Sequence, residues 1–251
     1  MLKELNKLLD ITGRAYSTCS LSSYKDRCVT FIKNESYIDG IKYIKHTHLI
    51  VLIPKDLKLP FEISEDIKLF ESTNVDLLFT LYHNYIHEYT DPSVNDVISL
   101  SATIHPSAVV GVDGIKIAMW DKRKILFKHV GNIIIEKDVD IGANAVIHRA
   151  RLDSTTIKKG TIIGALTNIA HNVTIGEDCI ITTNVSVGGS VTIGNNCWIG
   201  MGATIRNGVS ICDNVVIGMG SVVLKPIDKP GFYVGNPARF LREFKSGDRG
   251  F

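Results

Sequence analysis

Aliphatic residues recur at every sixth position through the C-terminal half of the chain. The unbroken series is Ile157, Ile163, Ile169, Ile175, Ile181, Val187, Ile193, Ile199, Ile205, Ile211, Ile217 and Val223. A small residue follows four positions after most members, beginning with Thr161, Thr167 and Val173. A period of six is typical of a parallel β-helix, in which each short strand points one large apolar residue inward before the chain turns. Three strands then complete a triangular coil of about 18 residues, and each coil buries its face against its neighbours.

The same period is present earlier, with two interruptions. Hexads begin at Ile104 and Val110, and they resume at Ile135, Ile141 and Ile147. Between these blocks lies a charged and aromatic loop around Met119–Phe127, and about four extra residues near Leu152–Thr156 shift the phase. Because insertions in solenoids form loops, and loops often carry function, we expect both interruptions to bear on the site.

Residues 1–100 lack the six-residue period and predict a small α/β domain. Residues 28–33 and 48–53 have the composition of strands, and Met1–Leu9 has that of an amphipathic helix. Asn74 is a predicted N-cap for a helix that ends near His87. We therefore expect three regions: a nucleotide-binding domain (1–100), a β-helix (101–225) and a C-terminal tail (226–251), with the coil ending near Val223.

Composition narrows the function classes. The 251 residues are 45% hydrophobic and carry a formal net charge of +2, without a long basic block, which favours neither nucleic-acid nor membrane binding. No apolar run is long enough to span a bilayer, so we expect a cytoplasmic protein without a membrane span. Cys179 and Cys197 are one coil apart, which permits a disulfide, although we expect reduced thiols in that compartment.

Three segments of the coil region resemble UDP-3-O-acylglucosamine N-acyltransferases. They are 141–149 (IGANAVIHR), 152–157 (LDSTTI) and 169–176 (IAHNVTIG), and 29–37 (VTFIKNESY) is similar to that family's uridine-binding segment. The resemblance implies a left-handed β-helix and a homotrimer. The chain departs from the family where Gly208 and Gly164-Ala165 replace a second His and an Asp-Asn pair. Its ending, residues 235–239 (GNPAR), is similar to coenzyme A-dependent acetyltransferases of the same superfamily.

His171 is the predicted general base. Acyl transfer to an amine requires a group that takes the amine proton, and an imidazole does this near neutral pH. Gly189 lies 18 residues later, and the resemblance implies that its backbone N–H stabilises the oxyanion. Asp153, 18 residues before His171, is a candidate to orient the imidazole, although the phase shift between them disturbs that spacing. The alternative for His171 is a surface or subunit-contact residue.

Two further groups are candidates for substrate binding. The resemblance assigns Phe31, Asn34 and Tyr37 to a pyrimidine base, by stacking and amide pairing, while the alternative is ordinary packing and an exposed turn. His148 is assigned to the acceptor site. Zinc is not expected at His148 and His171, because hexapeptide zinc enzymes use a His pair five residues apart and the residue five after His171 is Gly176.

The predicted coenzyme A site lies toward the C-terminal end of the coils. Arg206 and Lys225 are candidates to pair with its phosphates, and Gly202 and Gly208 would allow the pantetheine arm to approach closely. Solvated charges and turn glycines are the alternative for these four residues.

Together these features predict an N-acyltransferase that moves an acyl group from acyl-CoA to the amino group of a UDP- or dTDP-linked amino sugar, without a metal. One alternative is the lipid A enzyme itself, which uses acyl carrier protein. The other is a non-catalytic β-helix that binds nucleotide sugars.

Overall fold

The computed structural model describes residues 1–12, 16–42, 44, 48–88 and 92–244. The last residues of the predicted tail, 245–251, lie outside this range. Two compact units are present: the first contains residues 1–91 and 115–128, and the second contains 92–114 and 129–251. The aromatic loop, which the sequence placed among the coils, belongs to the first unit.

The secondary structure is given in chain order. Residues 1–128 form α1 (Leu2–Thr12), β1 (Ser17–Thr18), β2 (Cys28–Phe31), a 3-10 helix (Glu35–Ile41), β3 (Leu49–Pro54), β4 (Ile67–Ser72), α2 (Val75–Ile86), a second 3-10 helix (Pro92–Asn95), β5 (Val97–Ile98), β6 (Thr103–Ile104), β7 (Val109–Val112), β8 (Ile117–Trp120) and β9 (Arg123–Leu126). The remaining strands are β10 (Asn132–Ile135), β11 (Asp140–Ile141), β12 (Val146–His148), β13 (Ser154–Ile157), β14 (Ile162–Ile163), β15 (Asn168–Ile169), β16 (Thr174–Ile175), β17 (Ile180–Ile181), β18 (Ser186–Val187), β19 (Thr192–Ile193), β20 (Trp198–Ile199), β21 (Thr204–Ile205), β22 (Ser210–Ile211), β23 (Val215–Ile217), β24 (Val222–Val223), β25 (Gly231–Val234) and β26 (Arg239–Arg242).

The first unit is a four-stranded parallel sheet with helices, which agrees with the small α/β domain predicted from the sequence. Its strand order is β1-β2-β3-β4. Helix α2 begins after Asn74, whose side-chain oxygen accepts a hydrogen bond from the Leu77 N–H at 3.0 Å and satisfies a free helix donor.

The β8–β9 hairpin is held against α2 by polar contacts at several points. The Asn84 amide donates to the Leu126 carbonyl at 2.7 Å and accepts from the Lys128 N–H at 3.0 Å. His83, which is fully buried, contacts the Lys128 carbonyl through Nε2 at 2.8 Å. Near the start of α2, the Lys116 ammonium pairs with Asp76 at 2.9 Å. These contacts explain why the aromatic loop is part of the first unit.

The second unit is a left-handed parallel β-helix, which confirms the predicted fold. Its strands form three sheets, and the fully regular coils pair residues 18 apart, for example Ile175 with Ile193 and Ile181 with Ile199. The aliphatic series and the small residues that follow it are buried together in one core. Cys179 and Cys197 are free thiols, and the Cys197 N–H donates to the Cys179 sulfur at 3.4 Å.

The turns between strands follow a second six-residue period. Residues with φ near +60° occur at Asn172, Asp178, Asn184, Ser190, Asn196, Gly202, Gly208, Asn214 and Gly220. Asn, Asp and Gly adopt this left-handed conformation more readily than other residues, so the turn geometry of the coils accounts for their recurrence.

The coils contain the four extra residues that the sequence indicated near Leu152–Thr156, and they differ from the sequence prediction at their C-terminal end. Ile147 pairs with Ile169, so one coil contains 22 residues rather than 18. The parallel pairing also continues past Val223, because Ile211 bridges Ile227 and Val215 pairs with Gly231 in β25. The predicted end of the coil near Val223 is therefore wrong. Pro226 and Pro230 each lack a backbone N–H donor, but the residues that follow them still pair with the previous coil.

Among the described residues, no helix is long and apolar enough to cross a membrane.

Candidate active site

His171 lies in the turn that follows β15, with its side chain half-buried. Its Nδ1 is 3.1 Å from Asn172 Oδ1, and that same oxygen accepts a hydrogen bond from the Arg151 N–H at 3.0 Å. Because a backbone N–H only donates, the shared Asn172 atom is the oxygen and not the amide nitrogen. His171 must therefore carry its proton on Nδ1. The Nε2 lone pair is left bare and has no hydrogen-bond partner within the described residues.

The surroundings of His171 keep the imidazole neutral. Burial lowers its pKa to about 4, and the nearby positive charge of Arg151 acts in the same direction. The hydrogen bond to Asn172 opposes the shift, while His129 and His148 add smaller lowering contributions. At neutral pH the ring is therefore unprotonated, which is the form that a general base requires.

Gly189 lies one coil after His171, because Ile169 pairs with Val187 in the register of 18. A Cβ placed on Gly189 would lie 2.6 Å from Cε1 and 2.7 Å from Nε2 of His171, so the ring edge faces this glycine directly. No acceptor for the Gly189 N–H is present among the described residues. A base and an open backbone donor are thus adjacent.

On its other side, the His171 ring meets Gly114 and His129, of which the sequence indicated only His129, as a residue that could line the acceptor site. A Cβ on Gly114 would lie 3.1 Å from His171 Cδ2 and 3.2 Å from His129 Nε2. The His129 ring is fully buried, and its centroid is 5.5 Å from that of His171 in an edge-on arrangement. Their proximity depends on chain segments 57 and 42 residues away from His171, which no periodic signal reports.

The register changes within the turn that carries His171, because Thr156 pairs with Thr174 at a spacing of 18 just after it, so the orienting role of Asp153 stays a prediction. The 22-residue coil places the register partner of Ile169 at Ile147. The residue in contact with Nδ1 is Asn172. The four extra residues therefore lie between β12 and β13, in the coil before His171.

His148 is engaged by the protein at both ring nitrogens. Nδ1 is 3.1 Å from the Asp113 carbonyl oxygen and Nε2 is 2.9 Å from Asn168 Oδ1. The structure therefore gives His148 a packing environment near His171. Substrate binding by this residue stays a prediction.

The four residues predicted to bind coenzyme A lie along the later coils. Arg206 and Lys225 are exposed, and Arg206 Nη1 donates to the Leu224 carbonyl at 3.4 Å. Gly202 and Gly208 have φ of +69° and +71° and open space around the Cα atom. Turn geometry alone accounts for both glycines, and the open space leaves the backbone accessible.

The residues predicted to clamp a base lie in the first unit. Phe31 packs against Phe79, with ring centroids 4.6 Å apart, and the Lys33 ammonium lies 5.5 Å from the Phe31 centroid. Asn34 Oδ1 accepts from the Ser36 N–H, and Tyr37 is 55% exposed. Within the described residues, the rings of Phe31 and Tyr37 are not in contact, so nucleotide binding here stays a prediction.

Family models match the coils. The bacterial transferase hexapeptide model (six repeats) matches residues 154–189 and 190–225, and the model for the hexapeptide repeat of succinyl-transferase matches residues 132–165. Over residues 132–225 the chain is thus similar to proteins of the hexapeptide-repeat acyltransferase superfamily.

Two curated proteins that are similar to part of this chain carry the same name. The UDP-3-O-acylglucosamine N-acyltransferase of Methylococcus capsulatus is 42% identical over 83 residues, which is 33% of this chain and 23% of that protein. The enzyme of the same name from Coxiella burnetii is 41% identical over 96 residues, or 38% of this chain and 27% of that protein. The matches thus span about a quarter of these relatives' length.

A solved structure is also similar. A variant of AntD, an N-acyltransferase from Bacillus cereus in complex with dTDP and coenzyme A, is 19% identical with a TM-score of 0.43. The match covers 57% of this chain and 81% of that one.

Proposed function

We propose that this chain is an N-acyltransferase that acylates the amino group of a nucleotide-linked amino sugar, with acyl-CoA as the donor. The observation that carries the proposal is the juxtaposition at His171. A neutral imidazole with a bare Nε2 faces Gly189, whose backbone N–H has no acceptor among the described residues. The acceptor class is supported by the curated relatives, which are named for N-acylation of a UDP-linked glucosamine.

The chemistry follows from these two groups. The amine nitrogen attacks the thioester carbonyl carbon, and a C–N bond forms as the amine proton passes to His171 Nε2. The Gly189 N–H donates to the oxyanion of the tetrahedral intermediate. When the C–S bond breaks, His171 returns the proton to the departing thiolate, so the products are an amide and free thiol. No metal is required for any of these steps.

The proposal assigns two further regions. Arg206 and Lys225 pair with the phosphates of coenzyme A along a coil surface opened by Gly202 and Gly208. Phe31, Asn34 and Tyr37 hold the pyrimidine base. We also propose a homotrimer, for which the mass of the protein in solution is the measurement.

A thioester-cleavage assay tests the function. Acetyl-CoA and longer acyl-CoAs are combined with UDP- and dTDP-linked 3-amino and 4-amino sugars, and free thiol is detected. Release that requires both partners is the expected result. If free thiol is released only when an acylated acyl carrier protein is supplied, that protein and not coenzyme A is the donor. Bound nucleotide sugar without release from any donor would favour the non-catalytic alternative.

A matched pair of variants tests the base. His171→Asn removes the lone pair and should lower kcat roughly 10²-fold or more. His105→Asn is the control, because His105 is an exposed histidine on an earlier coil whose ring contacts Ser107. Equal turnover by both variants would exclude His171 from the mechanism.

A further inference from the structure

The imidazole of His171 is held edgewise between two glycines from different parts of the chain. Its Cε1–Nε2 edge faces Gly189, where a Cβ would approach to 2.6 Å. Its Cδ2 edge faces Gly114, where a Cβ would approach to 3.1 Å. A ring confined on two edges, with Nδ1 tied to Asn172, has one orientation available to it. Rotation about its side-chain bonds would require one of these contacts to open.

His129 completes the enclosure on the Gly114 side. Its buried ring stands edge-on to the His171 ring. Its Nε2 lies 3.2 Å from the position that a Cβ on Gly114 would take. The His129 N–H donates to Asp113 Oδ2 at 3.3 Å, and the Asp113 carbonyl lies 3.1 Å from His148 Nδ1. Asp113, the residue before Gly114, is thus held through both its side chain and its backbone carbonyl, and this fixes the segment that carries Gly114.

We propose that His129 and Gly114 are positioning residues for His171: they hold the ring so that the Cε1–Nε2 edge faces Gly189. The proposal rests on the proposed function of His171 as the base. Neither residue would contact the reacting atoms. They act by preventing the imidazole from leaving the orientation that points its lone pair toward the acyl carbonyl, which is how a preorganised base lowers a barrier.

The decisive measurement is nuclear magnetic resonance of the full, unliganded chain labelled with ¹⁵N-histidine. Long-range proton–nitrogen correlations distinguish a ring protonated at Nδ1 from one protonated at Nε2. For His171 we expect one tautomer, with Nε2 bare. In His129→Ala the ring gains room and should show averaging of the two tautomers. His129→Phe keeps a planar ring at this place and should restore the single tautomer.

Gly114→Ala gives a second test that does not open a cavity. Its Cβ would press on both rings at 3.1 Å and 3.2 Å, which displaces them without excluding either. We expect a shifted but single His171 signal and a smaller loss of kcat than in His129→Ala. His105→Ala is the control for mutation of a histidine elsewhere on the coils.

The kinetic readout separates positioning from binding. His129→Ala should lower kcat by ~10-fold or more, since misplacement by about 1 Å costs up to 10²-fold, with an unchanged KM for the donor. The proposal is overturned when folded His129→Ala keeps the single tautomer of His171 and Gly114→Ala leaves the His171 signal unshifted. If no substrate pair reacts while the tautomer still responds to these variants, the proposed function fails and the positioning role stands.

Discussion

Replacing Asn172 by Asp should raise the pKa of His171 and move the acid limb of the pH–rate profile upward. In the structure Nδ1 donates to Asn172 Oδ1 at 3.1 Å, and burial with Arg151 nearby holds the pKa at about 4. The Asp side chain has the same shape and adopts the same left-handed turn, where φ is +59°. Its carboxylate stabilises the imidazolium form, so the pKa rises.

The size of the shift follows from distance and dielectric. Two unit charges about 4 Å apart at an effective dielectric constant of about 20 attract by roughly 4 kcal/mol, equivalent to about three pKa units. His171 is only half-buried, so solvent screening reduces this figure, and we expect a rise of about one to three units. The midpoint of the Asp variant should therefore lie at roughly pH 5–7.

The profile of kcat/KM against pH, from pH 4 to 8, is the assay, with a titration of His171 by nuclear magnetic resonance as a readout that needs no substrate. Asn184→Asp is the matched control, because Asn184 is exposed and has φ of +57° in an equivalent turn. Its acid limb should stay where it is in the wild type. A His171 midpoint that stays near 4 in Asn172→Asp, or that falls, would refute the assignment of the Nδ1 partner.

Three further predictions concern the site and the core. Gly189→Ala places a Cβ 2.6 Å from His171 Cε1, so the ring must rotate away; kcat should fall at least ~10-fold while thermal unfolding changes little. Arg149→Met removes the cation that pairs with the partly buried Asp96 carboxylate, whose Oδ2 is 2.8 Å from Arg149 Nη2, and should lower the free energy of unfolding by about 3 kcal/mol in urea titrations. Ile175→Ala should cost about 2–5 kcal/mol because its side chain is fully buried, whereas Ile162→Ala, at a position 45% exposed, should cost much less.

The architecture of the coils was predictable because one physical demand recurs at every rung. Each short strand must place an apolar side chain in the same narrow core, so the aliphatic series from Ile157 to Val223 predicts that the coils stack. The adjacency of His171 and Gly189 follows from the same arithmetic, since any two residues 18 apart in a regular coil lie next to each other. The N-cap at Asn74 was equally readable, because a helix start needs a local acceptor.

The rest of the site was hidden because its contacts do not obey the period. The partner of Nδ1 is the adjacent Asn172, which reaches the ring only because its backbone is left-handed and Arg151 fixes its amide. Gly114 and His129 arrive from either end of the hairpin insertion. The six-residue recurrence of Asn, Asp and Gly at turn positions was a usable signal: it marks Asn172, Gly202 and Gly208 as turn residues.

The location of the site follows from where the solenoid stops being regular. Regular coils present nearly identical surfaces, so the six-residue repeat alone does not distinguish one turn from the others. The coil before His171 contains 22 residues, and its extra length brings the Arg151 N–H to Asn172. The hairpin insertion ends at His129, on the opposite edge of the same ring. Because both irregularities meet at His171, this turn differs from the turns above and below it, and a directed lone pair can be held there.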